Sequence, residues 1–419
     1  MDESWVFGGN DCALGQGLNH LPYTAFVDPE TGDQRLAVAI GACLLDLGAI
    51  SAMLPEAVRA AVQQPLLNDL MGLGPAAWIE LRGALQFLLS QGNKDRKRLE
   101  EALVPARSLL LTLPVAIGDY TDFYASRDHA RRVGELFRPE KPLLENYDFV
   151  PIGYHGRASS VVVSGEEVRR PWGQVRHSAG PEFEASGKLD YELELGYFVG
   201  AGNRLGEAIP VAQAERHVFG VTLLNDWSAR DVQGWEYQPL GPFLGKNFCT
   251  SISPLLTPLA ALAGVRASAV AHTEGLLSYL NDASDQISGG VDLLLKVALT
   301  TKMSRAAGLE PFVLSESKSA DLYWTPAQMV AHHTSNGCNL RPGDLLGTGT
   351  VSGAERSSGG CLLELSRGGA EPFLLSNGER RSFLEDGDEV ILTGFAEPPE
   401  AMKIWLGECR GRVVAASRG

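Results

Sequence analysis

The sequence predicts a mostly β, α+β protein in two units, a small N-terminal one over residues 1–118 and a larger strand-rich one over residues 119–419. Three observations carry that expectation. Short runs rich in β-branched and aromatic residues recur along the chain. The segments between them hold the Gly, Pro and Asn of tight turns. The length, 419 residues, is more than one compact domain usually spans, so two or three are expected.

In the first unit YTAFV, RLAVAIG and CLLDL read as short strands, followed by helical periodicity from Pro55 to Leu89. The charge-rich NKDRKRLEEAL then leads through Pro105 and Pro114 to the boundary. From Tyr120 onward SSVVVSG, YELELGYFVG, HVFGVTLLN, CLLELS and DEVILTGF read as strands, and SGEEV, GAGNR, SNGER and EDGDE as their turns. The clearest helix begins at TPAQMVAHH, with Thr325 as N-cap, Pro326 at the first helical position and Asn336-Gly337 past the end.

Charge narrows the function classes. With 51 acidic and 36 basic residues the formal net charge is −15, which argues against nucleic-acid or anionic-membrane partners, since both need a positive surface. No run reaches the roughly 18 apolar residues of a membrane helix, and the start MDESWVFGGND has neither the positive nor the apolar region of a secretory signal, so a cytoplasmic location is expected. Six cysteines (Cys12, Cys43, Cys249, Cys338, Cys361 and Cys409) contain no C-x-x-C pair, which points to reduced thiols. GPFLGKN lacks the glycine spacing and the Ser or Thr of a phosphate loop, and Gly347, Gly349 and Gly353 miss the dinucleotide-binding spacing.

The residues that carry chemistry lie in the second unit; the first holds none of them and reads as structural or as support for assembly. Four carboxylates stand out: Asp122 in DYTDFYASRDHA, Glu192 and Glu194 in DYELELGYFV, and Asp226 in LLNDWSARD. Two apart in an apolar run, Glu192 and Glu194 share one face of a strand that would otherwise be core. Asp226 ends a buried apolar stretch, where a lone carboxylate would be costly. Gathered by the fold, the four make an all-oxygen cage for Ca²⁺ or Mg²⁺.

His129 lies in the same run as Asp122 and has the intrinsic basicity to deprotonate water, although a histidine in such a run is often a plain hydrogen-bonding residue. Asp226, Arg230, Gln233, Tyr237 and Lys246 crowd NDWSARDVQGWEYQPLGPFLGKNF. The plainer reading there is an exposed helix face with an i,i+4 ion pair; the chemical one is that Arg230 and Gln233, three apart, aim donors at one developing negative charge. GYHGRASS, with Tyr154, His155 and Arg157, and GTGTVSG, with Thr350, read as loops for close approach of a substrate or as simple turns. His332 and His333 fall on the expected helix and read as structural.

Together these blocks resemble the fumarylacetoacetate hydrolase family, over nearly the whole chain. DYTDFYASRDHA, GYHGRASSVVVSG, YELELGYFVG, LLNDWSARDVQGWEYQPLGPFLGK, NGCNLRPGDLLGTGTVSG and the early LPYTAF carry the likeness. The long N-terminal domain and the DYTDFY block with its histidine resemble the branch that hydrolyses fumarylacetoacetate itself. The resemblance implies an SH3-like barrel in the first unit, a mixed β-roll in the second, and a homodimer. It implies that Asp122, Glu192, Glu194 and Asp226 ligate Ca²⁺ or Mg²⁺, that Lys246 and Thr250 with Asp226 hold a possible second Mg²⁺, and that Tyr124, Arg138, Tyr154, Arg230, Gln233, Tyr237 and Thr350 contact a diketo dicarboxylate substrate. His129 matches the general base and Glu364, in CLLELS, the acid that orients it, while Arg230, Gln233 and Lys246 would meet the oxyanion.

The implied reaction is hydrolysis of a carbon–carbon bond in fumarylacetoacetate to fumarate and acetoacetate, the last step of tyrosine and phenylalanine breakdown. Two other readings stay open: an acylpyruvate hydrolase or related diketone hydrolase or decarboxylase of the same superfamily, and a non-catalytic, metal-stabilised binding module. Cys249 stands in KNFCT where a smaller residue is expected, and GAERSSGGC before Glu364 departs from the family pattern.

Overall fold

The short strands of the first unit pair locally into one curled antiparallel sheet. In the computed structural model, which describes residues 3–11, 16–272, 274–399, 401 and 403–417, they are β1 (Tyr23–Val27), β2 (Gln34–Ile40) and β3 (Cys43–Asp46), followed by helix α1 (Pro75–Leu89), β4 (Leu103–Pro105) and β5 (Leu110–Thr112). The strand order is β4-β3-β2-β1-β5. Along β2, Leu36, Val38 and Ile40 enter one apolar cluster while Ala37 and Ala39 enter another, the period of two that makes this a strand buried on both faces. Cys12 lies outside the described residues; the other five cysteines are free, with Cys249, Cys361 and Cys409 buried.

Helical periodicity is realised over a shorter span than expected. The stretch from Ser51 to Gln63 forms three 3₁₀ turns, and Asn68–Gly72 is a single helical turn. Pro55, Pro65 and Gly74 punctuate it, because a proline lacks the amide that would continue a helix and Gly74 adopts φ +84°. The continuous helix starts only at Pro75, where the missing amide costs nothing, and buries Ala77, Leu81, Leu85, Leu88 and Leu89.

The second unit is built on two sheets. Its early elements are β6 (Tyr120–Phe123), helix α2 (Arg127–Phe137), β7 (Gly153–Gly156), β8 (Val161–Val163), β9 (Leu193–Val199), β10 (Val218–Asp226), helix α3 (Arg230–Glu236) and β11 (Thr250–Ile252). The later ones are β12 (Leu294–Thr300), β13 (Phe312–Lys318), helix α4 (Pro326–Thr334), β14 (Leu345–Gly347), helix α5 (Leu362–Leu365), β15 (Glu389–Ala396) and β16 (Ile404–Val414). The central sheet runs β7-β6-β14-β9-β10-β11-β8, mixed in direction because β14 with β6 and β11 with β8 pair in parallel. The other sheet runs β13-β12-β15-β16 and ends on the short strand Glu167–Arg169.

One face of the central sheet meets the second sheet through Leu195, Leu223, Leu295, Leu392 and Leu406. Its other face carries Tyr120, Phe198, Leu224 and Leu345, which join the core of the first unit. Hydrogen bonds fasten that seam: Tyr23 and Leu256 exchange both backbone bonds, at 2.9 and 2.8 Å, and His20 Nε2 lies 2.8 Å from Thr257 Oγ1. On β6, β10 and β14 the same face passes within two residues from an apolar side chain to the chemical end: Tyr120 to Asp122, Leu224 to Asp226, Leu345 to Gly347.

CLLELS, expected to be a strand, is the one-turn helix α5. Asp190 explains the difference, since its two carboxylate oxygens accept from the amides of Leu362 and Leu363 at 2.8 and 2.9 Å and so cap a helical start that six residues of apolar pattern do not reveal. Helix α4 follows its expected caps: Thr325 and Gln328 form a reciprocal capping box, and Gly337 adopts φ +88° beyond the end. Among the described residues no helix is long and apolar enough to cross a membrane.

Candidate active site and metal centre

Four buried carboxylates meet where strands of the central sheet end. Asp122 lies in β6, Glu194 in β9, Glu192 just before that strand, and Asp226 is the last residue of β10; one oxygen from each lies within 4.8 Å of the others. Gly347 on β14 makes room for them, since a Cβ there would stand 2.5 Å from Asp122 Oδ1 and 3.1 Å from Glu194 Oε2. Gly349, at φ +72°, turns its amide onto the same two oxygens at 3.1 Å each. GTGTVSG is therefore part of the acid cluster's wall.

Two cations serve this cluster. Lys246 Nζ lies 2.7 Å from Glu192 and 2.9 Å from Asp226, and Arg230 Nη1 lies 2.6 Å from Glu192. Burial raises the Glu192 carboxyl, but Lys246 and Arg230 outweigh it and hold the group well below its usual range. Burial and the neighbouring Asp226 push Asp122 up to about 8, and burial with Asp122 raises Glu194 well above its ordinary value. Glu194 Oε1 is buried with no hydrogen-bond partner. An excess of buried carboxylate oxygen, one of it unpaired, fits a hard divalent cation: Asp122, Glu192, Glu194 and Asp226 have the donor set for Ca²⁺ or Mg²⁺.

Beside the cluster stands a histidine–carboxylate pair. Ser126 caps α2 by accepting from the His129 amide, which sets His129 in the first turn. Its Nδ1 lies 2.8 Å from Glu364 Oε2, both residues are buried, and no hydrogen bond among the described residues engages Nε2. Although burial raises it, Glu364 is held at about 2 by the charge and hydrogen bond of His129 and by Arg132. The Tyr124 ring packs edge-on against the imidazole at 5.2 Å.

Other residues singled out in the sequence converge here with polar atoms unused. Arg230 binds Asp190 and Glu192 and touches Gln233 Oε1 at 3.2 Å, while its Nη2 is buried without a partner; so is Thr350 Oγ1. Arg138 lies at the opposite end of α2 from His129, with its Nη2 donating to the Pro142 carbonyl at 3.2 Å and its Nε buried without a partner. Tyr154 donates to Asp226 at 2.8 Å. Lys246 and Thr250, expected around a second ion, both donate to Asp226, at 2.9 and 2.8 Å. Tyr237 ends α3, is 38% exposed, and its hydroxyl accepts from Gln238 Nε2 at 3.1 Å. His333 and His332 bond to Thr121 and Tyr279, each at 2.9 Å.

Asp190 is the residue the motif reading passes over. It completes the alternation Asp190, Glu192, Glu194, so the signal was in the sequence, but its work is on Arg230 and α5 rather than in the cage. Ser352 and Arg132 around Glu364 give no such signal, because they reach it from separate segments.

Known proteins resemble this chain along nearly its whole length. A family model described as fumarylacetoacetate (FAA) hydrolase C-terminal covers residues 119–414, and one described as fumarylacetoacetase N-terminal covers 19–114. The chain belongs to the fumarylacetoacetate hydrolase family. Relatives include the fumarylacetoacetases of Bos taurus and Homo sapiens, each 46% identical over 95% of this chain and 96% of theirs. That of Arabidopsis thaliana is 44% identical over 95% of both chains. Among solved structures, a fumarylacetoacetate hydrolase from Exiguobacterium antarcticum shares the fold at TM-score 0.54 and 16% identity, over 94% of this chain and 99% of that one. The α+β architecture is thus that of the fumarylacetoacetate hydrolase family with an N-terminal unit added.

Proposed function

We propose that this protein hydrolyses fumarylacetoacetate, a 1,3-diketone, to fumarate and acetoacetate. The observation that carries the reading is a buried His129–Glu364 pair beside a four-carboxylate cluster with unused donors around it. Water is a poor nucleophile at neutral pH. With Nδ1–H donating to Glu364, Nε2 is the basic nitrogen of His129 and takes a proton from water as its oxygen adds to the ketone carbon of the fumaroyl group itself. Arg230 Nη2, Gln233 and Lys246 donate to the oxyanion; removing one such donor costs roughly 2.7–4 kcal/mol in known cases. The bond from that carbon to the methylene then breaks, the methylene carbon keeps the electron pair, and the proton held on His129 is returned to the acetoacetate half. A Ca²⁺ or Mg²⁺ ion held by Asp122, Glu192, Glu194 and Asp226 would supply Lewis-acid stabilisation of the negative charge on the diketone oxygens. Arg138, Tyr124, Tyr154, Tyr237 and Thr350 bind and orient the dicarboxylate.

Further parts of the reading follow from family membership. The chain acts in the cytoplasm as a homodimer, at the end of tyrosine and phenylalanine breakdown, with residues 1–118 and 119–419 as its domains. A second Mg²⁺ would be held by Asp226 and Thr250 together with Lys246, which could offer it only its carbonyl, because an ammonium offers only donors. Turnover of fumarylacetoacetate, followed with and without a chelator and beside simpler acylpyruvates, tests the whole. Chelator-sensitive turnover with preference for fumarylacetoacetate is expected, whereas preference for acylpyruvates, or metal binding without turnover, overturns it.

A further inference from the structure

We propose that Arg132 is a positioning residue for water activation, fixing the Glu364 carboxylate in the orientation that His129 requires. The inference rests on the reading of His129 as the general base. Arg132 follows His129 by three residues on α2, so the two side chains leave neighbouring positions on one face of the helix. They reach opposite oxygens of one carboxylate: His129 Nδ1 lies 2.8 Å from Oε2, and Arg132 Nη1 donates to Oε1 at 2.6 Å. The Arg132 Nη2 donates to the carbonyls of Gly353 and Glu355, so the guanidinium ties the base's helix both to its carboxylate partner and to the run that carries Thr350.

Orientation and charge both depend on this contact. The α5 turn that carries Glu364 is only four residues long, and without Arg132 one oxygen of the carboxylate would lose its charged donor. Side-chain exposures of 11% for Arg132 and 0% for Glu364 leave the pair weakly screened. The groups facing the carboxylate are His129 and Arg132 from α2, Ser352 at 2.8 Å from its loop, and the Cys361 thiol at 3.3 Å. The negative charge of Glu192 also acts on His129. Among these groups Arg132 is the permanent cation. With its charge removed, Glu364 would hold a proton on the imidazole more firmly and the base would be blocked at a higher pH.

The experiment compares kcat, KM and the pH profile of kcat for the metal-loaded wild-type enzyme, Arg132→Gln and Arg132→Lys on fumarylacetoacetate. Arg132→Gln should lose on the order of ten-fold in kcat, part of the roughly 10²–10⁴-fold a positioned base supplies, with KM little changed and the acidic limb moved to higher pH. Arg132→Lys should return the limb to its wild-type place and recover part of kcat. Wild-type kcat and limb in Arg132→Gln overturn the proposal, as does an equal loss in both variants with no movement of the limb, the mark of a merely structural role. If Arg132→Gln does not fold, Arg132→Lys carries the test alone: reduced kcat with the limb in place is expected, and wild-type kcat overturns it. His129→Ala separates the two levels of argument. Full activity there defeats the general-base reading itself, whereas an inactive His129→Ala beside normal Arg132 variants defeats only the positioning role.

Discussion

His129 and Arg138 should fail differently when removed. His129→Ala should lower kcat by roughly 10²–10⁴-fold with little change in KM, since it removes the proton acceptor and leaves the binding groups in place. Arg138→Ala should raise KM more than it lowers kcat, because a buried guanidinium nitrogen without a partner is suited to a substrate carboxylate. Glu364 sets a pH dependence of stability. Its carboxyl stands at about 2 against an ordinary 4.5, so its contribution is fully present above pH 4.5 and is lost as the pH falls through 2. Melting temperatures from pH 5 downward should therefore fall less steeply in Glu364→Gln than in the wild type, although that variant starts lower because it strands Arg132. Glu192, Glu194 and Asp226 stand out in the sequence because charged groups inside apolar runs have few uses, whereas His129 lies in a polar run where only the nearness of Asp122 marks it. Arg132 does not stand out, since nothing local distinguishes it from Arg131, which faces out and pairs with Glu135 one turn along.

Elements differ in how much of their role the sequence exposes. Alternation shows β9, an unbroken apolar run shows β10, and the capping box shows α4. Helix α5 is hidden because the group that caps it, Asp190, lies more than 170 residues away, and the Pro55–Gly74 stretch is misread because apolar spacing persists through prolines that stop a helix. Two substitutions test element-level claims. Gly347→Ala pushes a methyl against Asp122 and Glu194 and should weaken Ca²⁺ or Mg²⁺ binding by calorimetry, while far-UV dichroism stays as in the wild type. Thr325→Ala removes a helix cap that also donates to the buried Asp285 at 2.9 Å and bonds none of the four acids, so it should cost at least about 1 kcal/mol in denaturant unfolding and leave kcat unchanged.

At the level of the whole molecule, folding holds carboxylates that repel one another in place, and a bound cation relieves that repulsion. Chelation should lower the melting temperature, and Ca²⁺ or Mg²⁺ at a hundred times the dissociation constant should raise it again by adding about 2.7 kcal/mol of stability. A melting temperature indifferent to both treatments would contradict the metal centre. The strand-rich character is readable from the short apolar runs and their turns, but the packing of the central sheet on the first sheet is not, because Tyr120, Phe198, Leu224 and Leu345 look like ordinary core. That seam has a consequence for inherited or engineered variation. Tyr120, Leu224 and Leu345 are the floor on which the acid end of the sheet rests, so a void opened among their partners in the first hundred residues should surface as poorer ion retention and slower turnover, in a region that never touches the reactants.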